Sequence, residues 1–550
     1  MSSARIDGSV RGGQWQIAGS TGALTLGHIL VPLDLPDVAS ISTSSPLLRE
    51  VQGGSPVGLI AVEGANAMSR VTAHPLRQWP RTLCDHVSSG GPLVPGNVLA
   101  SMTLASLKNH FVTSGLGTWT GPTSRLQPGL MASFGSTTDP TYKFVQNVAF
   151  IYDNSLAIEA LLSGGSPDAE SKARAFQIAD ALVLIQDRDP MNANVAFDST
   201  YTTLRPAPLR DAYLAGLVST IRPASNNTSS GNQAYVAMAL LHATDVAAAS
   251  GDTTRAADYL RTARELLLYV GRNRENSGLL GGFSMQDAAV QSVRACEHNI
   301  DLATAFERAA STETDAALKA QWQAWRDRAE QFRAAMYGTN PSFATLAWIG
   351  DNWSYFRAGT WTGDDINMDL VPIDTGAWST LGRGDNRDVA FDFLEFWATS
   401  RDANGQTYTG FDPGFRAVLD ERLTSRRDGI GSEATAYMIL VARKLGDAAV
   451  LAVLPDRSGL TAPEQTAFDA VTAAANAGQT DHDLADYLIG QLCEVQLRAA
   501  NTDGLGLVAA PVRNVGTGEY SLVNGWSLAS TAWARFAYQG WNMFTGTGLG

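Results

Sequence analysis

From Tyr142 onward, Ala- and Leu-rich segments with helical periodicity dominate the chain. Six of these segments share one pattern, in which a short opening of small or polar residues leads into an apolar helix. The six segments are YDNSLAIEALL from Tyr152, GNQAYVAMALLHATDVA from Gly231, EHNIDLATAFERAA from Glu297, DTGAWSTLG from Asp374, GSEATAYMILVARKLG from Gly431 and NGWSLASTAWARFAYQG from Asn524. The pattern predicts six helices whose first turns carry polar side chains.

A more polar helix usually follows each of the first five segments after a short break. The clear followers are ESKARAFQIADALVLIQ, TTRAADYLRTARELLLYV, ETDAALKAQWQAWRDRAEQF and NRDVAFDFLEFWA, whereas the follower after Gly446 is less well defined. An all-apolar helix fits an inner position and an amphipathic helix fits an outer one. Because the repeats are long, roughly 60 to 90 residues, the pairs favour a closed (α/α)6 toroid of six helical hairpins over residues 141–550.

The first 140 residues differ in texture, with short apolar runs between turn signals. The runs GQWQIAG, LTLGHILVPLDLP and VGLIAVEG are typical of strands. We therefore predict a smaller β-rich N-terminal domain over residues 1–140, either a β-sandwich or a half-open sheet packed on the toroid. Its last part, residues 88–140, is rich in Gly, Ser, Thr and Pro, which favours irregular loops wrapping the body.

Four strings carry a resemblance to a known group of proteins: YDNSLAIEAL, EHNIDLATAFERAA, DTGAW and GSEATAY. They resemble those of bacterial (α/α)6 six-hairpin glycosidase-like proteins, over roughly residues 142 to 545. The resemblance implies carbohydrate chemistry, usually hydrolysis by two carboxylates with inversion. Since polysaccharide lyases, phosphorylases and epimerases share the superfamily, the fold alone leaves the reaction open.

In such a toroid the first turns of the six inner helices meet at one mouth. A glycosidase needs one protonated carboxyl group for the leaving oxygen and one ionised carboxylate. We predict Glu297 as the general acid and either Glu433 or Asp374 as the base, with the reverse assignment also open. The predicted substrate-binding residues at the same openings, or beside them, are Tyr152, Asp153, Asp301, Trp361, Trp378, Tyr437 and Trp526, and Asn232 joins them at the mouth.

Helix capping is the alternative interpretation of these carboxylates, because an acidic residue at a helix N-terminus stabilises the helix without any chemistry. Asp153, Asp374 and Glu433 all suit that role. Capping does not require the cluster around Glu297, which makes Glu297 the strongest catalytic candidate. The neighbouring His298 is interpreted as a hydrogen-bonded structural histidine.

The loop from Trp353 to Asp374, WSYFRAGTWTGDDINMDLVPID, places four aromatic residues beside three aspartates. This composition predicts a loop that lines a polysaccharide groove, and an aromatic-stabilised hairpin is the alternative. The aromatic residues are Trp353, Tyr355, Phe356 and Trp361, and the aspartates are Asp364, Asp365 and Asp369.

Composition and charge limit the classes of partner that the protein can bind. The 550 residues include 45% hydrophobic and 17% charged residues, which excludes wholesale disorder. With 40 basic and 54 acidic residues the formal charge is -14, which disfavours nucleic acid as a partner. No apolar run is long enough for a membrane span. A carbohydrate substrate is the predicted partner.

Neither a metal nor another cofactor is predicted. The seven histidines form no HxH or HxxxH pair, and the three cysteines form no CxxC motif, which suggests neither a metal site nor a disulfide framework. The N-terminal sequence MSSARIDGSVRGGQWQIAGS lacks the pattern of a signal peptide. The expectation is a cytoplasmic protein or a mature or particle-borne extracellular form.

The sequence therefore predicts a glycoside hydrolase that acts on a poly- or oligosaccharide. Two alternatives stay open: a polysaccharide lyase on the same toroid, and a non-catalytic glycan-binding or structural component of a phage or secreted particle. Unsaturated uronate products would distinguish the lyase. Glycan binding without turnover would distinguish the non-catalytic protein.

Overall fold

The computed structural model describes residues 96–549, apart from short gaps, and seven strands before them. The gaps are residues 123–125, 287–292, 340–353, 403–404, 417–428, 479, 500–501, 503, 514 and 516–520. Before residue 96 only the backbone of the strands is described.

The N-terminal strands form two parallel sheets. In chain order they are β1 (Ala4–Val10), β2 (Trp15–Gln16), β3 (Leu24–Ile29), β4 (Pro32–Leu35), β5 (Ser40–Thr43), β6 (Glu50–Gly53) and β7 (Leu59–Val62). One sheet has the order β1-β3-β5-β7 and the other β2-β4-β6, so successive strands alternate between the sheets. Strands occur in all three predicted runs, but their parallel pairing differs from the antiparallel sheets typical of a β-sandwich.

The described residues after these strands contain fourteen α-helices. In chain order they are α1 (Gly96–Thr113), α2 (Ile151–Leu162), α3 (Ala169–Arg188), α4 (Ser230–Ala249), α5 (Thr253–Arg274), α6 (Cys296–Thr312), α7 (Ala316–Met336), α8 (Asp374–Arg383), α9 (Val389–Glu395), α10 (Ser432–Leu445), α11 (Asp447–Val453), α12 (Ala462–Ala475), α13 (Asp483–Arg498) and α14 (Leu528–Gln539).

Six of these helices close into a ring. Each of α2, α4, α6, α8, α10 and α14 packs against the next, and α14 packs back against α2. The ring helices are buried almost all round: every residue of α2 except Tyr152 is buried, and so is every residue of α14 except Gln539. These are the six segments predicted to be inner helices. The fold is therefore an (α/α)6 toroid, as predicted.

A second layer of helices covers the ring. Helices α3, α5, α7 and α9 pack on the inner helices that precede them, α13 packs on α10, and α1 packs on α14. The poorly defined follower after Gly446 is thus two short elements, α11 and α12, before the covering helix α13. The segment 88–140, predicted to be irregular loops, contains the 18-residue helix α1. This prediction was wrong because the Ser and Thr residues of α1 were interpreted as turn signals.

Short strands connect the helices. They are β8 (Gly129–Leu130), β9 (Val148–Phe150), β10 (Ala212–Leu214), β11 (Gly216–Leu217), β12 (Arg294–Ala295), β13 (Tyr337–Thr339), β14 (Ser354–Phe356), β15 (Gly359–Thr362), β16 (Asp365–Ile366), β17 (Leu370–Pro372), β18 (Trp397–Arg401), β19 (Thr407–Phe411), β20 (Gly414–Arg416), β21 (Trp541–Asn542) and β22 (Thr547–Gly548). Strands β9, β12 and β17 lead into the inner helices α2, α6 and α8, and each pairs with a neighbouring strand. These strand pairs fix where α2, α6 and α8 begin.

Two further findings concern composition. Among the helices of the described residues, none has an apolar stretch that would suffice to cross a bilayer. Cys493 on α13 takes part in a disulfide, whereas Cys296 is a buried free thiol.

Candidate active site

A cavity of about 300 Å³ opens at the N-terminal ends of the inner helices. Five of the six inner helices contribute side chains to its lining. They are Tyr152 from α2, Asn232 and Tyr235 from α4, Glu297, His298 and Asp301 from α6, Asp374 and Trp378 from α8, and Glu433 and Tyr437 from α10. The toroid thus brings together the first turns of these helices, and with them the three predicted catalytic carboxyl groups.

Glu297 and Asp374 form a hydrogen-bonded pair of carboxyl groups. Asp374 is buried, and its pKa lies well above the usual value because of this burial and the neighbouring charge of Glu297. Two carboxyl groups can share a hydrogen bond only when one of them holds a proton. The Glu297 side chain is 29% exposed, so this member of the pair reaches the cavity.

Asp301 lies one helical turn after Glu297 on the same face of α6. Its side chain lines the cavity but is only 1% exposed, and its Oδ1 has no hydrogen-bond partner. Burial, followed by the charge of Glu297, raises the pKa of Asp301 well above its usual value. Asp301 is therefore a buried carboxyl group that no described side chain neutralises.

Glu433 receives a hydrogen bond from Tyr152, which in turn receives one from Trp533. The Tyr152 hydroxyl donates to Glu433 Oε1, and the Trp533 indole on α14 donates to the Tyr152 hydroxyl at 3.0 Å. Burial raises the pKa of Glu433 to about 7, although these two neighbours lower it. The hydrogen bond from Tyr152 favours the ionised form, so Glu433 can accept a proton near neutral pH.

Aromatic rings form the walls of the cavity. The Tyr235 and Trp378 rings meet edge to face at 5.7 Å, and Trp378 stacks on Trp533 at 6.3 Å. Trp361, on the β15–β16 hairpin, is 44% exposed at the edge of the cavity. Such rings can pack against the apolar faces of sugars.

The hairpin that carries Trp361 is held by a buried arginine. The Arg294 guanidinium donates to Asp364 at 2.7 Å, and Asp364 also accepts the backbone N–H of Leu279. Asp364 therefore has a structural role here. Within the predicted aromatic loop, Tyr355 and Phe356 are buried core residues and do not line a groove, and Trp353 lies outside the described residues. Adjacent strand residues point to opposite faces, and both faces of β14 are covered: Tyr355 stacks on Phe391, and Phe356 packs against Tyr337.

Two predicted binding residues do not line the cavity. Asp153 is buried behind it, where it hydrogen-bonds Ser133 and burial raises its pKa to about 8. The Trp526 indole donates to Ser106 Oγ at 2.7 Å, and its ring lies 3.8 Å from that of His110. The start of α14 lies beside the covering helix α1. Trp526 therefore links α1 to the start of α14 and does not reach the cavity.

The capping interpretation fits the outer helices better than the inner ones. Asp168, Asp252 and Asp315 cap α3, α5 and α7 by accepting backbone N–H groups. The N-cap residues of α2, α8 and α10 make no side-chain cap hydrogen bond, and the carboxyl groups in those first turns bond to other side chains. This contrast favours a function for the carboxyl groups of the inner helices.

Sequence reasoning missed Tyr235. Its hydroxyl has no hydrogen-bond partner, and its ring contacts those of Tyr152 and Trp378. The signal was present, since Tyr235 lies three residues after Asn232 and shares its helix face. As for metals, the described residues contain no group of three or more His, Cys, Asp or Glu side chains arranged to hold one.

Comparison with known proteins gave matches among solved structures only. No family model and no curated protein matches the chain. A D-mannose isomerase structure is 12% identical, with a TM-score of 0.41. The match covers 80% of this chain and 96% of the isomerase chain. A glucoamylase of Hormoconis resinae is 11% identical, with a TM-score of 0.42, and covers 80% of this chain and 73% of its own. A cold-adapted family 8 xylanase is 11% identical, with a TM-score of 0.39, and covers 74% and 95%.

Proposed function

We propose that this protein is a glycoside hydrolase that cleaves a poly- or oligosaccharide. The observation that carries the proposal is the arrangement of carboxyl groups in the cavity. A hydrogen-bonded pair, Glu297 and Asp374, holds a proton, and a separate carboxylate, Glu433, accepts a hydrogen bond from Tyr152. A glycosidase needs these two protonation states at one site.

In the proposed mechanism Glu297 is the general acid. The buried Asp374 passes the shared proton through their hydrogen bond to the partly exposed Glu297, which gives it to the oxygen of the leaving sugar. Asp374 thereby acts as a proton reserve for Glu297. The pair also keeps the proton away from solvent until a substrate arrives.

Glu433 is the proposed general base. It accepts a proton from a water molecule, which attacks the anomeric carbon from the face opposite the leaving group and inverts its configuration. Tyr152 and Trp533 fix the orientation of Glu433 and favour its ionised form. The anomeric form of the first product, followed by NMR, tests inversion against retention.

The aromatic walls are the proposed sugar-binding surfaces. Trp378 and Tyr437 lie deep in the cavity, and Trp361 lies at its edge. One sugar unit would stack inside, and the chain would continue across Trp361. This arrangement supports a carbohydrate substrate for the cavity.

A product profile of wild type beside Glu297→Gln tests the proposed function. A broad panel of polysaccharides is incubated with each protein, and the products are weighed by mass spectrometry. We expect products that are one water heavier than the anhydro chain, and a fall in kcat of roughly 10³-fold in the variant, because the acid is lost. Glu307→Gln, at the exposed far end of α6, is the matched control and should retain activity.

The other outcomes point to the alternatives. Products without the added water would indicate a lyase or a transglycosylase. Full activity of Glu297→Gln would contradict the proposed acid. If wild type cuts none of the polysaccharides but binds some of them, the glycan-binding protein becomes the better interpretation.

A further inference from the structure

Among the described residues that line the cavity, the charged side chains are almost all acidic. Four carboxyl groups line it, those of Glu297, Asp301, Asp374 and Glu433. Among the described lining residues the one guanidinium is that of Arg294, whose side chain is 0% exposed. Its N–H groups already bond to Thr360 Oγ1, the carbonyl of Gly281 and the Asp364 carboxylate. Arg294 therefore offers no positive charge to a ligand.

His298 does not supply a positive charge either. Burial lowers the pKa of His298, and its ring packs so closely on Gly231 that a Cβ atom there would lie 2.4 Å from it. Its Nδ1 has no hydrogen-bond partner, and its Nε2 lies 3.5 Å from Glu297 Oε1. A neutral imidazole leaves the acidic character of the cavity unchanged.

Hydrolysis as proposed gives Asp301 no role. The proposed reaction uses Glu297 with its reserve Asp374, and Glu433, but it has no step for a fourth carboxyl group. Asp301 is 1% exposed, lines the cavity and has an unpartnered Oδ1. The Tyr235 hydroxyl, 2% exposed and also unpartnered, lies on the neighbouring helix. A buried carboxyl group without a partner is costly, and a cationic ligand group offsets that cost.

We propose that the cavity takes a sugar unit with a free ammonium group, and that Asp301 is the carboxylate that recognises it. This inference rests on the proposed function and names its substrate class, a polysaccharide of de-N-acetylated amino sugars. An ammonium group both pairs with a carboxylate and donates to the Tyr235 hydroxyl. A uronate or sulfated unit would find no free cation among the described lining residues to balance its charge.

Binding of single sugars tests the inference without any need for turnover. The probes are D-glucosamine and D-galactosamine, compared with their N-acetylated forms, with D-glucose and with D-glucuronate, by calorimetry or NMR titration. For wild type we expect one amino sugar to bind at least about tenfold more tightly than its acetylated form or glucose. In Asp301→Asn that preference should fall to within about twofold. Asp327→Asn, an exposed position on α7, is the control and should retain it.

A second measurement needs only the wild-type protein. When the pH is raised until the sugar amine loses its proton, the ratio of amino-sugar affinity to glucose affinity should fall towards one. This ratio keeps the test valid even if Asp301→Asn does not fold. Equal or tighter binding of glucose, of the acetylated sugars or of glucuronate would overturn the inference.

The two proposals fail in different ways. Cleavage of neutral polysaccharides with no preference for amino sugars would overturn the substrate class and leave the hydrolase standing. Selective binding of amino sugars, with no cleavage of any glucosamine or galactosamine polymer, would support Asp301 as the recognition residue and contradict the proposed hydrolysis.

Discussion

At the scale of single residues, Tyr152 links the chemistry to the ring of helices. Its hydroxyl donates to Glu433 from α2 and accepts from Trp533 of α14, so one side chain joins three inner helices. Because of this contact, the proton affinity of Glu433 depends on the Tyr152 hydroxyl. Replacing Tyr152 with Phe removes that hydroxyl with little change in the volume of the site.

Replacing that neighbour should change how activity depends on pH. We expect activity to fall as the pH drops below about 7, since Glu433 has a pKa of about 7 and the protonated form cannot accept a proton. In Tyr152→Phe a donor to the ionised form is lost, so the acid limb of kcat/KM should move to higher pH. Tyr408→Phe on β19, which removes a hydroxyl that donates to Asp402, is the control. An unmoved acid limb in Tyr152→Phe would contradict the role of Glu433.

A second pair of buried carboxyl groups lowers the stability of the fold. Asp388 and Asp392 are buried beside Gly376 of α8, and both oxygens of Asp392 lack hydrogen-bond partners. Burial raises the pKa of Asp388 from 3.8 to about 8. The folded protein therefore holds a proton here that the unfolded chain gives up between about pH 4 and 8, so stability falls as the pH rises through this window.

Asp388→Asn should remove that dependence. The amide oxygen can still accept the Phe356 N–H that now bonds Asp388 Oδ2 at 2.9 Å. At pH 8 we expect the variant to have a free energy of unfolding higher by about 1 kcal/mol or more, with the difference shrinking as the pH falls and vanishing at about pH 4 or below. Urea unfolding at both values measures this, with Asp327→Asn as the exposed control. A variant that is less stable than wild type at pH 8 would refute the argument.

Residue identity at the mouth was predictable, but the direction of each side chain was not. Glu297, Asp374 and Glu433 were found because each stands in the first turn of an apolar helix. Trp526 stands in a similar opening but points to α1, since the direction depends on the phase of the helix and on what covers it. The proposed roles of acid and base stay predictions, because they depend on chemistry at the bound substrate.

At the scale of elements, close packing of helices sets the spacing of the outer layer. Gly271 on α5 lies against the ring of Trp325 on α7, and a Cβ atom at this position would lie 2.3 Å from the indole. The absence of a side chain thus lets two neighbouring outer helices approach. Glycine lowers the stability of a helix relative to alanine, but at position 271 it makes room for the Trp325 ring.

Gly271→Ala should therefore destabilise the protein although alanine favours helices. We expect a loss of roughly 1–3 kcal/mol, because the indole or the helix must move to admit the methyl group. Gly459→Ala, where nothing lies within 4 Å of the added atom, is the matched control and should change stability little. Thermal and urea unfolding report the difference. Equal stability of the two variants would show that Trp325 moves without cost.

Long amphipathic helices were the most predictable elements. The structure extends α5 over Thr253–Arg274 and α7 over Ala316–Met336, as their periodicity indicated. The predicted helix NRDVAFDFLEFWA is shorter: α9 ends at Glu395 and β18 begins at Trp397. Aromatic residues at its end pack as well in a strand as in a helix, so the pattern alone did not fix the boundary.

At the scale of the whole molecule, the ring closes between the first and last inner helices. The buried Arg535 on α14 donates to the carbonyl oxygens of Ala160 on α2, at 2.7 Å, and of Ala100 on α1, at 2.5 Å. Burial lowers the pKa of Arg535 to about 10, which leaves it charged at neutral pH. One side chain therefore joins three helices across the point of closure.

Loss of that link should weaken the closure of the ring. In Arg535→Met the methionine fills part of the space but leaves buried carbonyl groups without their donor. We expect a loss of about 1–3 kcal/mol in the free energy of unfolding, together with reduced activity, because Trp533 lies on the same helix. The control is Arg457→Met, which removes an exposed ion pair with Asp469. Wild-type stability of Arg535→Met would contradict the proposed link.

The closure has a consequence for the order of events at the ribosome. The Tyr152–Trp533 hydrogen bond joins residues that are synthesised at the start and at the end of the ring. Until α14 has been translated and released from the exit tunnel, five inner helices form an open arc, and the Tyr152 hydroxyl that donates to Glu433 lacks its own donor. A nascent chain thus carries its carboxyl groups long before they are arranged for proton transfer, and activity should appear only after the last helix has docked.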